Sequence, residues 1–242
     1  MASGRTAEIL SGVTGSGEDR GDLPQRLVAA CARALPVSGA GIVLMTDEGP
    51  AGTIAVTDSA AATLEDLQFT LGEGPCVDAF RTGRPVLHPD LVATGPARWP
   101  GFSAGALDAG ARAVFAFPLR TGAIRLGVLD LYRDRPGALS DEELAEALSF
   151  ADAATTVLLH LQSLDADAGG PLGALPVVED RAEVHQATGM VSVQAGVPLG
   201  QALALLQARA FATGGPISAL ARDVLSGAAR FSNDGDGRIH SE

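Results

Sequence analysis

The stretch "DADAGGPLGALP" at residues 165–176 constrains the folding of this chain more than any other. Three glycines and two prolines in twelve residues support neither a continuous helix nor a strand. What lies on either side is therefore expected to fold separately. The two sides differ in kind. Before the break, short β-rich runs mix with helical periodicities; after it, only helical periodicities occur, cut by glycine and proline. The expected organisation is a flexible N-terminal tail at residues 1–21, a larger domain at 22–164, a linker at 165–177, a small helical domain at 178–232 and a flexible C-terminal tail at 233–242. The opening residues are rich in Gly, Ser and Thr without sustained period, a composition suited to a mobile end.

The larger domain reads as α+β. A helix is predicted from Asp22, with Pro24 in its first turn and Leu23, Leu27, Cys31 and Leu35 on one face. "AGIVLM" and "GTIAVT" predict adjacent antiparallel strands, and "ARAVFAFPLR" and "RLGVLDLYR" around "TGAI" predict a central hairpin. The strands cluster instead of alternating with helices, which disfavours βαβ units. At the end of this domain Ser140 precedes Glu143 by three residues, the spacing of a reciprocal helix cap. The helix it opens carries Leu144, Ala147, Ala151, Ala154, Leu158 and Leu161 at steps of three and four. That heptad-like seam suits close approach either to the domain's own first helix or to a second copy of the chain.

The helical domain shows three stripes: Val184, Ala187, Val191 and Ala195; Leu199, Ala202, Leu206 and Ala210; and Ile217, Leu220, Ala221, Val224, Leu225 and Ala228. Its first helix has a second apolar side at Met190, Val193 and Val197. A helix apolar on two sides needs two covers, which a second copy or the larger domain could supply, and a homodimer is the expectation. The net charge of -12 opposes general attraction to nucleic acid or anionic membranes, yet between Arg181 and Phe231 four arginines face only two acids. Arg222, Ser226 and Arg230 are expected along one side of the last helix, and Arg181, His185 and Gly189 along the first. Arginine's planar, permanently charged fork fits phosphate oxygens.

Composition removes several chemistries. All 17 basic residues are arginine, which excludes the lysine-ended phosphate loop, lysine Schiff bases and Ser-Lys pairs. Two cysteines and four histidines without ligand spacing make neither a disulfide framework nor a Cys-rich metal site. No Ser/His/Asp or Cys/His pattern stands out, and the acids Asp141, Glu142 and Glu143 suit a helix start; a non-enzymatic protein is expected. Neither a signal-peptide pattern nor an apolar run of about 18 residues is visible, so the expected compartment is the cytoplasm, with no membrane partner. Cys76, His88, Trp99 and Phe102 are candidate pocket residues, with plain packing as the alternative for each. No feature names a ligand or cofactor.

Residues 22–162 resemble a GAF domain, and "LGEGPCVDAFRTGRPV" resembles the GEGPC segment of bacterial GAF modules joined to RNA-binding output domains. Residues 181–231 resemble the ANTAR domain of transcription antitermination regulators. They match at Ala187, Gly189, Ala202, Leu206, Ala210 and Ala221, with apolar residues at Val184, Met190, Val191, Val224 and Leu225. Thr188 stands where that family usually has lysine, and Leu203 where it often has an aromatic residue. The resemblance implies a GAF-type antiparallel sheet flanked by helices, followed by a three-helix ANTAR domain. It also implies a sensor that binds RNA hairpins in a nascent transcript through Arg181, His185, Thr188, Gly189, Arg209, Arg222 and Arg230, governed by a small-molecule ligand in the GAF domain. The Asn-Lys-Phe-Asp-Glu pattern of cyclic-nucleotide GAF domains is missing. Two other readings stay open: a helix-turn-helix-like DNA-binding regulator, and a non-catalytic GAF dimerisation module.

Overall fold

The computed structural model describes residues 2–15, 22–46, 49–167, 182–233 and 239–241. Contacts divide the chain into two units, one built on a sheet and the other on the helices that follow residue 180.

The strands are β1 (Gly39–Thr46), β2 (Gly49–Val56), β3 (Val86–His88), β4 (Ala113–Thr121) and β5 (Ile124–Arg133). They form one sheet in the order β2-β1-β5-β4-β3, with antiparallel pairing of β1 to β5, β5 to β4 and β4 to β3. The expected hairpin is β4–β5, turning through Gly122 at φ 59°. Period-two alternation sends Ala113, Phe115, Phe117 and Leu119 of β4, and Leu129 and Leu131 of β5, to one face, where they join the principal core.

The helices of this unit are α1 (Ala2–Thr14), α2 (Leu23–Ala34), α3 (Ser59–Leu71), α4 (Pro75–Thr82), α5 (Leu91–Arg98), α6 (Pro100–Asp108) and α7 (Asp141–Asp167). Helices α1, α2 and α7 share the principal core with the sheet, while α3, α4 and α6 cover its other face. Leu23, Leu27, Cys31 and Leu35 are all buried, as the stripe predicts. The cap of α7 also forms: Glu143 N donates to Ser140 Oγ at 3.2 Å, and Ser140 N donates to Glu143 Oε2 at 2.8 Å. Asp141–Ser163 has the length and hydropathy of a membrane span, but its seam residues Ala147, Ala151, Ala154, Leu158 and Leu161 are buried in the unit's own core. Of the two covers open to that seam, the chain itself therefore supplies one.

The opening segment differs from expectation. Residues 2–14 of the anticipated flexible tail form α1, which buries Ile9 and Val13 against α7. Arg5 bridges to Glu146, with Nη2–Oε1 at 2.6 Å. Gly4 and Gly12 weaken the local signal, and tertiary packing overrides it. Of the expected linker, residues 165–167 continue α7; the remainder lies outside the described residues.

The second unit contains α8 (Ala182–Ala195), α9 (Leu199–Thr213) and α10 (Ile217–Ser226), packed pairwise. Val184, Ala187, Val191, Ala195, Ala202, Leu203, Leu206, Ala210, Ile217, Ala221 and Val224 form its core. Leu203 fills a core position, which explains an aliphatic residue there. Helix α10 stops earlier than its stripe suggests. Gly227 adopts φ 79° and its N–H donates to Val224 O at 3.1 Å, a left-handed glycine cap. Ala228 and Arg230 consequently lie past the helix end and are exposed. Within the expected C-terminal tail, β7 (Ile239–Ser241) pairs antiparallel with β6 (Phe231–Asn233).

Candidate functional site

In β5, Leu129 and Leu131 turn toward α7, so Asp130 between them faces the opposite layer. Its cross-strand neighbours are Gly41 on β1 and Ala116 on β4. Both are small, and the space they leave is taken by α3. A Cβ at residue 41 would lie 2.7 Å from Glu65 Oε1, so glycine at this position makes room for a carboxylate.

Glu65 and Gln68 sit three residues apart on α3 and share a face. Gln68 Nε2 donates to Glu65 Oε2 at 3.1 Å and to Asp130 Oδ2 at 3.4 Å. Gln68 Oε1 accepts from the backbone N–H of Cys76 at 2.8 Å. The turn "GEGPC" brings Cys76 into the first turn of α4, through Gly74 at φ 136°, a conformation open to glycine and little else. Cys76 is fully buried, and Glu65, Gln68 and Asp130 are 3%, 2% and 8% exposed. Ligand atoms of Glu65, Cys76 and Asp130 all lie within 4.8 Å of one another.

Burial first, and then the neighbouring Glu65, push the Asp130 carboxyl well above the usual carboxylate range. Two buried carboxyls at this distance hold a proton or a cation between them. Asp130 Oδ1 accepts from no donor, and Asp130 lines a residual space of about 10 Å³ with Glu65, Gln68, Phe102 and Tyr132. On its other side Tyr132 donates to Asp58 Oδ1 at 2.5 Å. Burial raises the Asp58 pKa, but the bonds from Tyr132 and the Ala61 N–H outweigh it and leave the group below its ordinary value.

Of the four anticipated pocket residues, Cys76 belongs to this cluster and Phe102 lines the space beside it. His88 and Trp99 form a separate aromatic group: their rings meet edge-on at 4.9 Å, with Phe102 6.2 Å beyond Trp99. His88 Nε2 pairs with Thr94 Oγ1 at 3.1 Å, and burial followed by the charge of Arg98 holds its pKa down. Asp78 Oδ2 accepts from Arg98 and from Trp99 Nε1 at 3.2 Å. In this arrangement His88 Nε2, Trp99 Nε1 and Asp78 Oδ2 are each hydrogen-bonded within the group. Glu65, Gln68 and Asp130 escaped the sequence reading, although a carboxylate inside the apolar run "GVLDLY" is itself a signal.

The second unit places its candidates unevenly. His185, Arg209, Arg222 and Arg230 are exposed, whereas Arg181 lies outside the described residues. Arg222 Nε donates to Ser218 O and approaches Glu183 Oε2 to 3.6 Å. Thr188 differs from expectation: it is 7% exposed, and its hydroxyl donates to Val184 O at 2.7 Å, because its place on α8 adjoins the core stripe. Gly189 is half-buried and a Cβ there would meet nothing within 4 Å. Arg230 does not continue the line of Arg222 and Ser226, since α10 ends first. On the outer side of α8, Met190 and Val193 are 36% and 84% exposed.

Residues 18–159 match the family model for the GAF domain. Among solved structures, a domain of a putative two-component sensor histidine kinase protein from Sinorhizobium meliloti 1021 aligns at 18% identity with TM-score 0.51, covering 63% of this chain and 99% of that one. The GAF domain of an Acinetobacter phosphoenolpyruvate-protein phosphotransferase aligns at 15% identity with TM-score 0.52, covering 69% and 98%. Free methionine-R-sulfoxide reductase from Neisseria meningitidis aligns at 20% identity with TM-score 0.45, covering 66% and 89%. At these identities the likeness concerns the fold alone. No curated protein matches the chain.

Proposed function

Because the chain belongs to the GAF domain family, we propose that it is a cytoplasmic, signal-responsive regulator of transcription that acts by binding, without catalysis. The GAF domain receives the signal on the sheet face beneath α3, α4 and α6. The C-terminal helices are an ANTAR-type output that binds RNA hairpins in a nascent transcript and favours the antiterminated form. One observation carries the output half of this reading. Of the residues by which 181–231 resemble ANTAR domains, Val184, Ala187, Val191, Ala202, Leu206, Ala210, Ala221 and Val224 lie in the buried core of three packed helices, Gly189 and Leu225 are half-buried, Met190 is exposed, and His185, Arg209, Arg222 and Arg230 stay outside. Exposed arginines in the most basic region of an acidic chain offer phosphate contacts without general attraction to polyanions.

A homodimer belongs to the proposal. The seam of α7 is used internally, so the support comes from α8, whose Met190 and Val193 form an uncovered apolar side.

Fluorescence anisotropy of the full chain with RNA hairpins, unpaired RNA of equal length and duplex DNA tests the output reading. Preference for hairpins is the expected result. Preference for duplex DNA would transfer the assignment to a helix-turn-helix-like regulator, and failure to bind any of the three would remove the nucleic-acid role.

A further inference from the structure

We propose that the cluster of Glu65, Cys76 and Asp130 is a binding site for one divalent first-row transition metal ion of the zinc or iron(II) class. The inference deepens the sensing reading and rests on it only for where a signal enters; metal uptake and RNA affinity are measured apart, so either can fail alone.

Three independent features converge. The first is the donor set. Two carboxylates and a thiol, drawn from α3, α4 and β5, have ligand atoms within 4.8 Å of one another. A tetrahedral ion with bonds of about 2.0–2.3 Å spaces its ligands by roughly 3.3–3.8 Å, so side-chain rotation closes the set. The thiol distinguishes this site from magnesium and calcium sites, whose ligands are all oxygen, and its borderline-soft character suits zinc or ferrous iron. A single cysteine rules out an iron–sulfur cluster held by four.

The second is an unsatisfied atom. Asp130 is more than nine-tenths buried and lines the residual space, and its Oδ1 accepts from no donor. A buried carboxyl oxygen without a donor is costly unless a proton shared with Glu65 or a cation meets it.

The third is size. The residual space of about 10 Å³, lined by Glu65 and Asp130 but not by Cys76, holds one water-sized body beside the cluster, too little for an organic ligand. Three protein ligands would leave one coordination position open, the pattern of metal sites that exchange a small ligand. The surrounding chain accommodates the cluster. Gly41 and Ala116 flank Asp130 with little bulk, and Gln68 bonds to Glu65, Asp130 and the Cys76 backbone at once, orienting all three.

The test uses the full chain, stripped with a chelator and titrated with Zn2+ by calorimetry and with Co2+ by absorbance. The expected result is one metal per chain, with a near-ultraviolet band from cobalt–thiolate ligation. Cys76→Ala should abolish that band while Cys31 remains in the opposite core, and should weaken Zn2+ binding by at least tenfold, a loss that even outer-shell changes produce. Asp130→Asn should weaken it similarly. Fluorescence of the buried Trp99 verifies that each variant is folded, and wild-type unfolding should shift upward with Zn2+ where the variants' does not. No uptake at micromolar Zn2+ and Co2+, or uptake unchanged in both folded variants, would overturn the site and leave Glu65 and Asp130 as a pair sharing a proton.

Discussion

The junction of β5 and α7 allows a stability prediction built from three hydrogen bonds. Glu143 Oε2 accepts from Ser140 N at 2.8 Å and from Arg133 Nη2 at 3.0 Å, while Glu143 N is capped by Ser140 Oγ. The Arg133 side chain is only 7% exposed, and its Nε has no partner. Ser140→Ala removes one cap bond, at a cost of about 1 kcal/mol. Glu143→Ala leaves that cap bond in place, removes the reciprocal one and strips a buried guanidinium of its carboxylate. Adding about 1–3 kcal/mol for the stranded charge gives a total of roughly 2–4 kcal/mol. Glu143→Gln keeps an acceptor for both donors and loses only the charge, so about 1 kcal/mol is expected. Urea unfolding followed by Trp99, the single tryptophan of the chain and buried in the GAF domain, reads this unit selectively. The pH dependence supplies a second check. The Ser140 N–H, and after it Arg133, hold the Glu143 carboxyl below its ordinary value of 4.5. A depressed pKa stabilises fully above the unfolded value and is lost on acidification. The gap between wild type and Glu143→Gln should therefore be constant above about pH 4.5 and narrow below it. Equal destabilisation by Ser140→Ala and Glu143→Ala would refute the role assigned to Arg133.

If Arg222 and Arg230 touch phosphates, replacing either with alanine should weaken every hairpin complex by a similar factor and lower the salt slope by about one unit each; unchanged affinity and slope in both would redirect attention to His185 and Arg209. Deleting residues 1–15 removes the buried Ile9 and Val13 and should cost about 2–4 kcal/mol of GAF-domain stability; an unchanged urea midpoint at Trp99 would show α1 to be dispensable. Val193→Asp, at a position 84% exposed, should leave unfolding within about 0.5 kcal/mol yet shift a dimer toward monomer in sedimentation velocity; an unaltered mass distribution would exclude α8 from the interface.

Strong local periodicity was legible. The stripe of α2, the β4–β5 hairpin, the cap of α7 and the three stripes of the second unit each declare themselves within a few residues, because hydrophobic period and cap chemistry are local quantities. Helix α1 was not, since Gly4 and Gly12 interrupt it and its stability comes from α7, more than a hundred residues away. Strand β3 is three residues long within "PVLHP" and α5 contains Pro96, so neither carries a clear local signal. Arg230 was misplaced because the apolar period runs past Gly227, where the backbone turns left-handed. The polar cluster was half legible. Cys76 follows a conspicuous glycine turn, but its neighbours Glu65 and Asp130 meet it only when α3 and β5 are brought together by the sheet.

The bridge from Arg5 to Glu146 joins residues 141 positions apart, and the core it closes has kinetic consequences. Helix α7 is the last element of the GAF domain to leave the ribosome, and until about residue 161 has emerged the faces of α1, α2, β4 and β5 that it covers have no lid. Ile9, Leu27, Phe115, Phe117 and Leu131 stay open throughout that interval. High contact order of this kind slows folding, and a nascent chain paused before Ser140 presents the very surface that holdase chaperones grip.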